Sequence, residues 1–148
     1  MDIAARFKAY KDLNMEIELQ IERLERMEDK AAAPSSPNLS GMPKSSSPQQ
    51  DRLASDVAKI VDLKTEIQKL MERRDTERKL LDGLISRLQN PDKKTVLRLR
   101  YIDAEEWEDV LFVVFGGKED FSEKYDNYKQ RIFRYHKAAL EELENISE

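Results

Sequence analysis

Residues 92–143 read DKKTVLRLRYIDAEEWEDVLFVVFGGKEDFSEKYDNYKQRIFRYHKAALEEL. The apolar side chains of this stretch fall into three groups. Val96, Leu97, Leu99, Tyr101 and Ile102 make the first, and Trp107, Val110, Leu111, Val114 and Phe115 the second. Tyr128, Ile132, Tyr135, Ala139 and Leu143 make the third. The first group supplies apolar anchors; in the second and third, side chains recur three and four apart, the spacing that puts them on one face of an α-helix. Turn chemistry separates them. Asn90 is a good N-cap, Pro91 suits a first helical position and Asp92 suits the positive helix end. Gly116-Gly117 reads as a C-cap, and Asp120 with Glu123 resembles a capping box with Asp in place of Ser or Thr. The block therefore predicts three helices around one small apolar core. The second covers residues 104–115 and the third about 121–146. The stripe of the third should pack on Trp107, Val110, Val114 and the first helix of the block.

The opposite side of the last helix carries Asn127, Gln130, Arg134 and Lys137, flanked by Lys129 and Arg131. These residue types read DNA: Arg forks onto guanine, Asn or Gln onto adenine, and Lys onto phosphate. The six are the candidate DNA-binding residues. A plain solvated helix face is the rival, because 38% of all residues are charged. Glu141, Glu142, Glu144 and Glu148 cannot lie along phosphates, which confines contact to the first half of the helix.

Two longer helices are expected upstream. In residues 2–30 the side chains Ile3, Phe7, Tyr10, Ile17, Ile21 and Leu24 share one face, with Leu13 and Met27 beside it. Residues 51–89 step by four and three through Leu53, Val57, Ile60, Lys64, Ile67, Met71, Arg74, Arg78, Leu81, Ile85 and Leu88, widened by Leu63, Leu70 and Leu84. That is a heptad-like seam with Lys or Arg at three positions, which weakens a continuous coiled coil. Gly83 would mark a bend or a close approach. Residues 31–50, AAAPSSPNLSGMPKSSSPQQ, hold four of the five prolines and read as a linker with no helix through it. A sharper alternative docks Leu39 and Met42 as a short ordered segment. The fold expected is all-α: a long two-helix, coiled-coil-like hairpin in 1–90, then a three-helix, helix-turn-helix domain in 91–148.

Composition narrows the function. The net charge is −4, so any nucleic-acid contact must come from a local basic face. There is no cysteine, hence no disulfide framework or thiolate metal site. No apolar run approaches the roughly 18 residues of a membrane span, and a signal-peptide core is lacking. A reducing cytoplasm is the expected compartment. His136, the only histidine, has no Cys, Ser or carboxylate at ligand or triad spacing and reads as a packed or surface residue. Trp107 reads as core, and the run Glu105, Glu106, Glu108 and Asp109 as the first turn of a helix. No enzyme activity, cofactor or metal is expected.

The phrases TVLRLRYI, WEDV, a glycine turn and RIFRYHKAAL together resemble the sigma-factor region 4-like helix-turn-helix of small phage-encoded proteins of the ArpU/RinA type. SPNLSGMPKSSSPQQDRLASDVAKIVDL is similar to a segment found in proteins of Gram-positive phages and prophages. The resemblance covers roughly residues 15–145. It implies a sequence-specific regulator of phage late genes, an activator acting near host RNA polymerase. It places Arg131, Arg134 and Lys137 on the recognition helix and Ile132 and Leu140 on its packing side. One departure stands out. The turn before the last helix is longer than the usual three or four residues. The expected partners are double-stranded DNA, host RNA polymerase and a second copy in a homodimer. A rival from another class is a helical interaction protein that binds a protein and not DNA, suggested by the net acidity and the long seams.

Overall fold

The computed structural model describes residues 2–33 and 48–147, and the proposed docking of Leu39 and Met42 lies outside them. The described chain is all-helical: a pair of long helices is followed by shorter ones. Helix α1 spans Ile3–Ala32 and α2 spans Pro48–Ile85. Helix α3, Pro91–Leu97, runs on into a π-helical turn, Arg98–Ile102. Helix α4 is Trp107–Phe115 and α5 is Tyr125–Ser147. No helix among the described residues is long and apolar enough to cross a membrane.

Several boundaries move from their sequence expectation for identifiable reasons. Helix α2 begins at Pro48, inside the expected linker, because the ring that forbids a helix interior is compatible with its first position. It ends at Ile85, short of residue 89. Arg87 N donates to the Leu84 carbonyl and Leu88 N to the Ile85 carbonyl, each at 3.0 Å, so the last turn tightens. That turn brings Leu88 into the core, 1% exposed. Asn90 is the N-cap of α3 as expected: its side-chain oxygen accepts from the backbone N–H of Asp92 at 2.8 Å and of Lys93 at 3.3 Å. Gly83 meets nothing within 4 Å of a built Cβ, so it answers no close approach.

The chain forms two compact units, Met1–Leu13 with Arg74–Glu148, and Asn14–Arg73. The division does not fall at residue 90. The start of α1 and the end of α2 share a core with the C-terminal helices, and their buried side chains explain why. Ile3, Phe7, Tyr10, Leu81, Ile85 and Leu88 cluster with Leu97, Tyr101, Ala139 and Leu143. Polar ties fasten the same junctions. Glu144 caps the Ile3 N–H at 2.6 Å, Arg6 and Glu77 form a two-pronged pair, and Lys93 meets Glu142 at 3.3 Å. The acidic end of α5 thus serves the fold.

In the smaller unit α1 and α2 lie side by side: Lys64 Nζ is 3.8 Å from Glu28 Oε1. The stripe of α1 is as expected through Ile17, which is buried. The α2 seam is so only in part. Leu63 and Ile67 are buried, while Leu53 and Val57 are 52% and 49% exposed and Lys64 is exposed. Leu63 is thus buried in place of Lys64. This keeps the Lys64 ammonium in water, where burial without a partner would cost several kcal/mol. Leu53, Val57 and Val61 are outward.

Candidate nucleic-acid interface

The C-terminal helices rest on a second cluster, Val96, Val110, Leu111, Phe115 and Ile132, bordered by Trp107, Val114, Phe121, Tyr125, Tyr128 and Tyr135. The expected stripe of α5 is therefore correct, but it divides. Ile132 enters this cluster, whereas Ala139 and Leu143 enter the one shared with α1. One core was expected and two are present, because α5 is long enough to cross both.

Tyr101 and His136 stand where the two clusters meet. The Tyr101 ring is 5.0 Å from that of Phe7, and its hydroxyl is 2.8 Å from His136 Nε2. Burial raises the Tyr101 pKa, which keeps the phenol protonated and able to donate. Burial, then the nearby Arg100 charge, holds the His136 pKa below the usual histidine value, which keeps its ring an acceptor. Trp107 meets the His136 ring edge-on at 4.8 Å, and the Arg100 guanidinium lies 4.7 Å from the Trp107 ring centre. His136 is thus a packed residue with one polar partner.

Entry into α4 differs from expectation. Residues 104–106 are not helical, and Ala104 takes a left-handed backbone conformation with φ of 56°. The π-helical turn before it explains this. Its extra residue lets Asp103 N reach the Arg98 carbonyl and Glu105 N the Leu99 carbonyl, at 2.9 and 2.8 Å, and the chain must then reverse. Exit from α4 also differs. Residues 116–124 form successive turns, and α5 begins at Tyr125 and not at 121. Gly116 is a right-handed C-cap; its glycine is required because a Cβ would collide with the Phe112 carbonyl oxygen. Asp120 does not form the expected capping box with Glu123. Its carboxylate accepts from the Tyr128 hydroxyl at 2.6 Å and pairs with Lys124 at 3.4 Å. The Tyr128 hydrogen bond, with Lys124 as a further contributor, holds the Asp120 pKa down.

All six sequence-selected residues are on α5 and all are exposed. Asn127, Gln130, Arg134 and Lys137 step by three, four and three, so they share one stripe opposite Ile132. Among the described residues none of these four hydrogen-bonds or ion-pairs with another side chain. Arg131 lies to one side. Its Nε donates to the Tyr135 hydroxyl at 3.2 Å, and its guanidinium lies 5.2 Å from the Phe115 ring centre. Lys129 lies to the other side, on the rim of a hollow of about 410 Å³ between α4 and α5. Glu106 and Glu108 share that rim and Trp107, Leu111 and Phe133 line it, so Lys129 stands apart from the stripe.

Sequence reasoning missed this hollow and the half-exposed Phe133 beside it, which packs edge-on to Trp107 at 5.1 Å. The signal was the aromatic directly after Ile132, one position off the buried stripe. Arg98 and Arg100 are already engaged, by Asp82 at 3.0 Å and by the Glu105 carbonyl at 3.1 Å. No family model matches the chain, and no significant match is found among curated proteins or solved structures. The likeness to sigma region 4-like proteins rests on the quoted motifs alone.

Proposed function

We propose that the chain binds double-stranded DNA through the first half of α5. The observation that carries this reading is the exposed stripe Asn127, Gln130, Arg134 and Lys137, flanked by Arg131 and unengaged by the rest of the protein. An Arg with no internal carboxylate partner keeps its donor fork for a guanine edge or a phosphate, and Asn and Gln suit adenine. Net acidity elsewhere helps confine contact to this stripe. On this reading α4 supports and α5 reads, as in a helix-turn-helix. The quoted motifs extend the proposal to a regulator of phage or prophage genes that acts with host RNA polymerase in the bacterial cytoplasm.

Fluorescence anisotropy with a labelled duplex tests it. Arg134→Ala and Lys137→Ala should each weaken binding, and each lost phosphate contact should lower the salt slope by about one. Equal affinity and slope in the wild type and the double variant would reject the assignment.

The outward Leu53, Val57 and Val61 of α2, and Met15 and Leu19 of α1, favour a second role for residues 14–73 in protein association. A homodimer is the simplest form, and sedimentation that gives only monomer at all concentrations would reject it.

A further inference from the structure

Helix α4 presents a second surface, unlike the α5 stripe in chemistry. Residues 103–117 contain Asp103, Glu105, Glu106, Glu108 and Asp109 and no Lys or Arg. Arg100 approaches Glu106 at 3.8 Å; among the described residues no ion pair engages the other four. One turn on, Phe112 and Val113 are 65% and 59% exposed, more than any other large apolar side chain described. The helix buries Val110, Leu111 and Phe115, so these two are on its outer side. Glu108 precedes Phe112 by four residues and Asp109 precedes Val113 by four, which stacks acid and apolar side chains on one face. Gly116 and Gly117 continue that face as bare backbone.

Adjacent exposed Phe and Val on a short helix mark an interaction surface. Charge selects the occupant. Glu108 and Asp109 on the helix, with Asp103, Glu105 and Glu106 just ahead of it, repel the phosphates of a nucleic acid or an anionic membrane. They also repel the same face of a second copy. We propose that the outer face of α4 docks another protein through a helix that presents large apolar side chains flanked by Lys or Arg. The apolar contacts would supply affinity and the carboxylates orientation and rate. This inference does not depend on α5 binding DNA.

The test titrates the isotope-labelled full chain, observed by NMR, with a short amphipathic helical peptide built of Leu and Lys. A Leu and Glu peptide of the same pattern is the control. The Leu/Lys peptide should shift the amides of residues 105–117 saturably, and its affinity should fall about tenfold or more as salt rises past screening. Phe112→Ser with Val113→Ser, both exposed positions, should weaken it at least about tenfold and leave duplex binding by α5 unchanged. Absence of shifts, shifts on other surfaces, or an equal response to the Leu/Glu peptide would overturn the proposal. So would broadening of 105–117 with protein concentration alone, which would assign the face to a second copy.

Discussion

Ile132 and Arg134 lie two residues apart on α5, and the orientation of that helix makes them energetically opposite. Ile132 is 1% exposed, in a cluster with Val96, Val110, Leu111 and Phe115. Ile132→Ala removes three buried carbon groups, about 0.8 kcal/mol each in lost transfer. A cavity penalty of about 24 cal/mol per Å³ adds roughly 1 kcal/mol more if half the vacated space persists. The expected loss is about 3–4 kcal/mol. Arg134 is exposed and unengaged, so Arg134→Ala should stay within about 0.5 kcal/mol of the wild type. Urea unfolding followed by fluorescence measures both. Trp107 is the only tryptophan and borders the Ile132 cluster, so it reports this unit specifically. A loss below about 1 kcal/mol for Ile132→Ala, or an equal loss for Arg134→Ala, would mean that α5 is rotated. The proposed DNA stripe would then be buried and the reasoning refuted.

Three further outcomes are expected. Asn90→Ala removes the acceptor for two N–H groups of α3 and should cost about 1 kcal/mol by urea unfolding. Gly83→Ala and Gly116→Ala should diverge in thermal denaturation: the first gains about 0.5–1 kcal/mol in an open helical position, and the second destabilises through collision with the Phe112 carbonyl. The depressed His136 pKa means that the unfolded chain binds the proton more readily. Stability from this residue is therefore full above the unfolded value of about 6.5 and is lost as pH falls below it. In urea unfolding at several pH values, His136→Gln should flatten that acid-side decline, and an unchanged pH profile would contradict the assignment.

The fold was legible where one face of a helix meets a core. Ile3, Phe7, Tyr10, Val110, Ile132, Ala139 and Leu143 are buried as their spacing predicts. Asn90-Pro91 marks its helix start because the cap is local chemistry. What was hidden depends on tertiary context. The α2 heptad holds at Ile67, Leu81, Ile85 and Leu88, but Leu53 and Val57 are about half exposed and Leu63 is buried in place of Lys64. The left-handed Ala104 and the π-helical turn before it have no Gly or Pro to announce them. Asp120 looked like a cap because its sequence neighbours allowed it, yet Tyr128, a full eight residues on, claims its carboxylate. The six candidate residues were exposed as expected, with Lys129 already a flanking residue on helical spacing; what only the structure adds is that it shares the rim of a hollow with Glu106 and Glu108.

The central claim is that this stripe reads DNA, and selection from a randomised duplex pool tests it most directly. The wild type and an Arg134→Ala, Lys137→Ala double variant would be carried through selection at low and at near-physiological salt. The account predicts a shared sequence enriched by the wild type at both salts and lost or relaxed in the variant, with the variant still folded by its tryptophan signal. No enrichment by the wild type at either salt, or the same enriched sequence from both proteins, would contradict it.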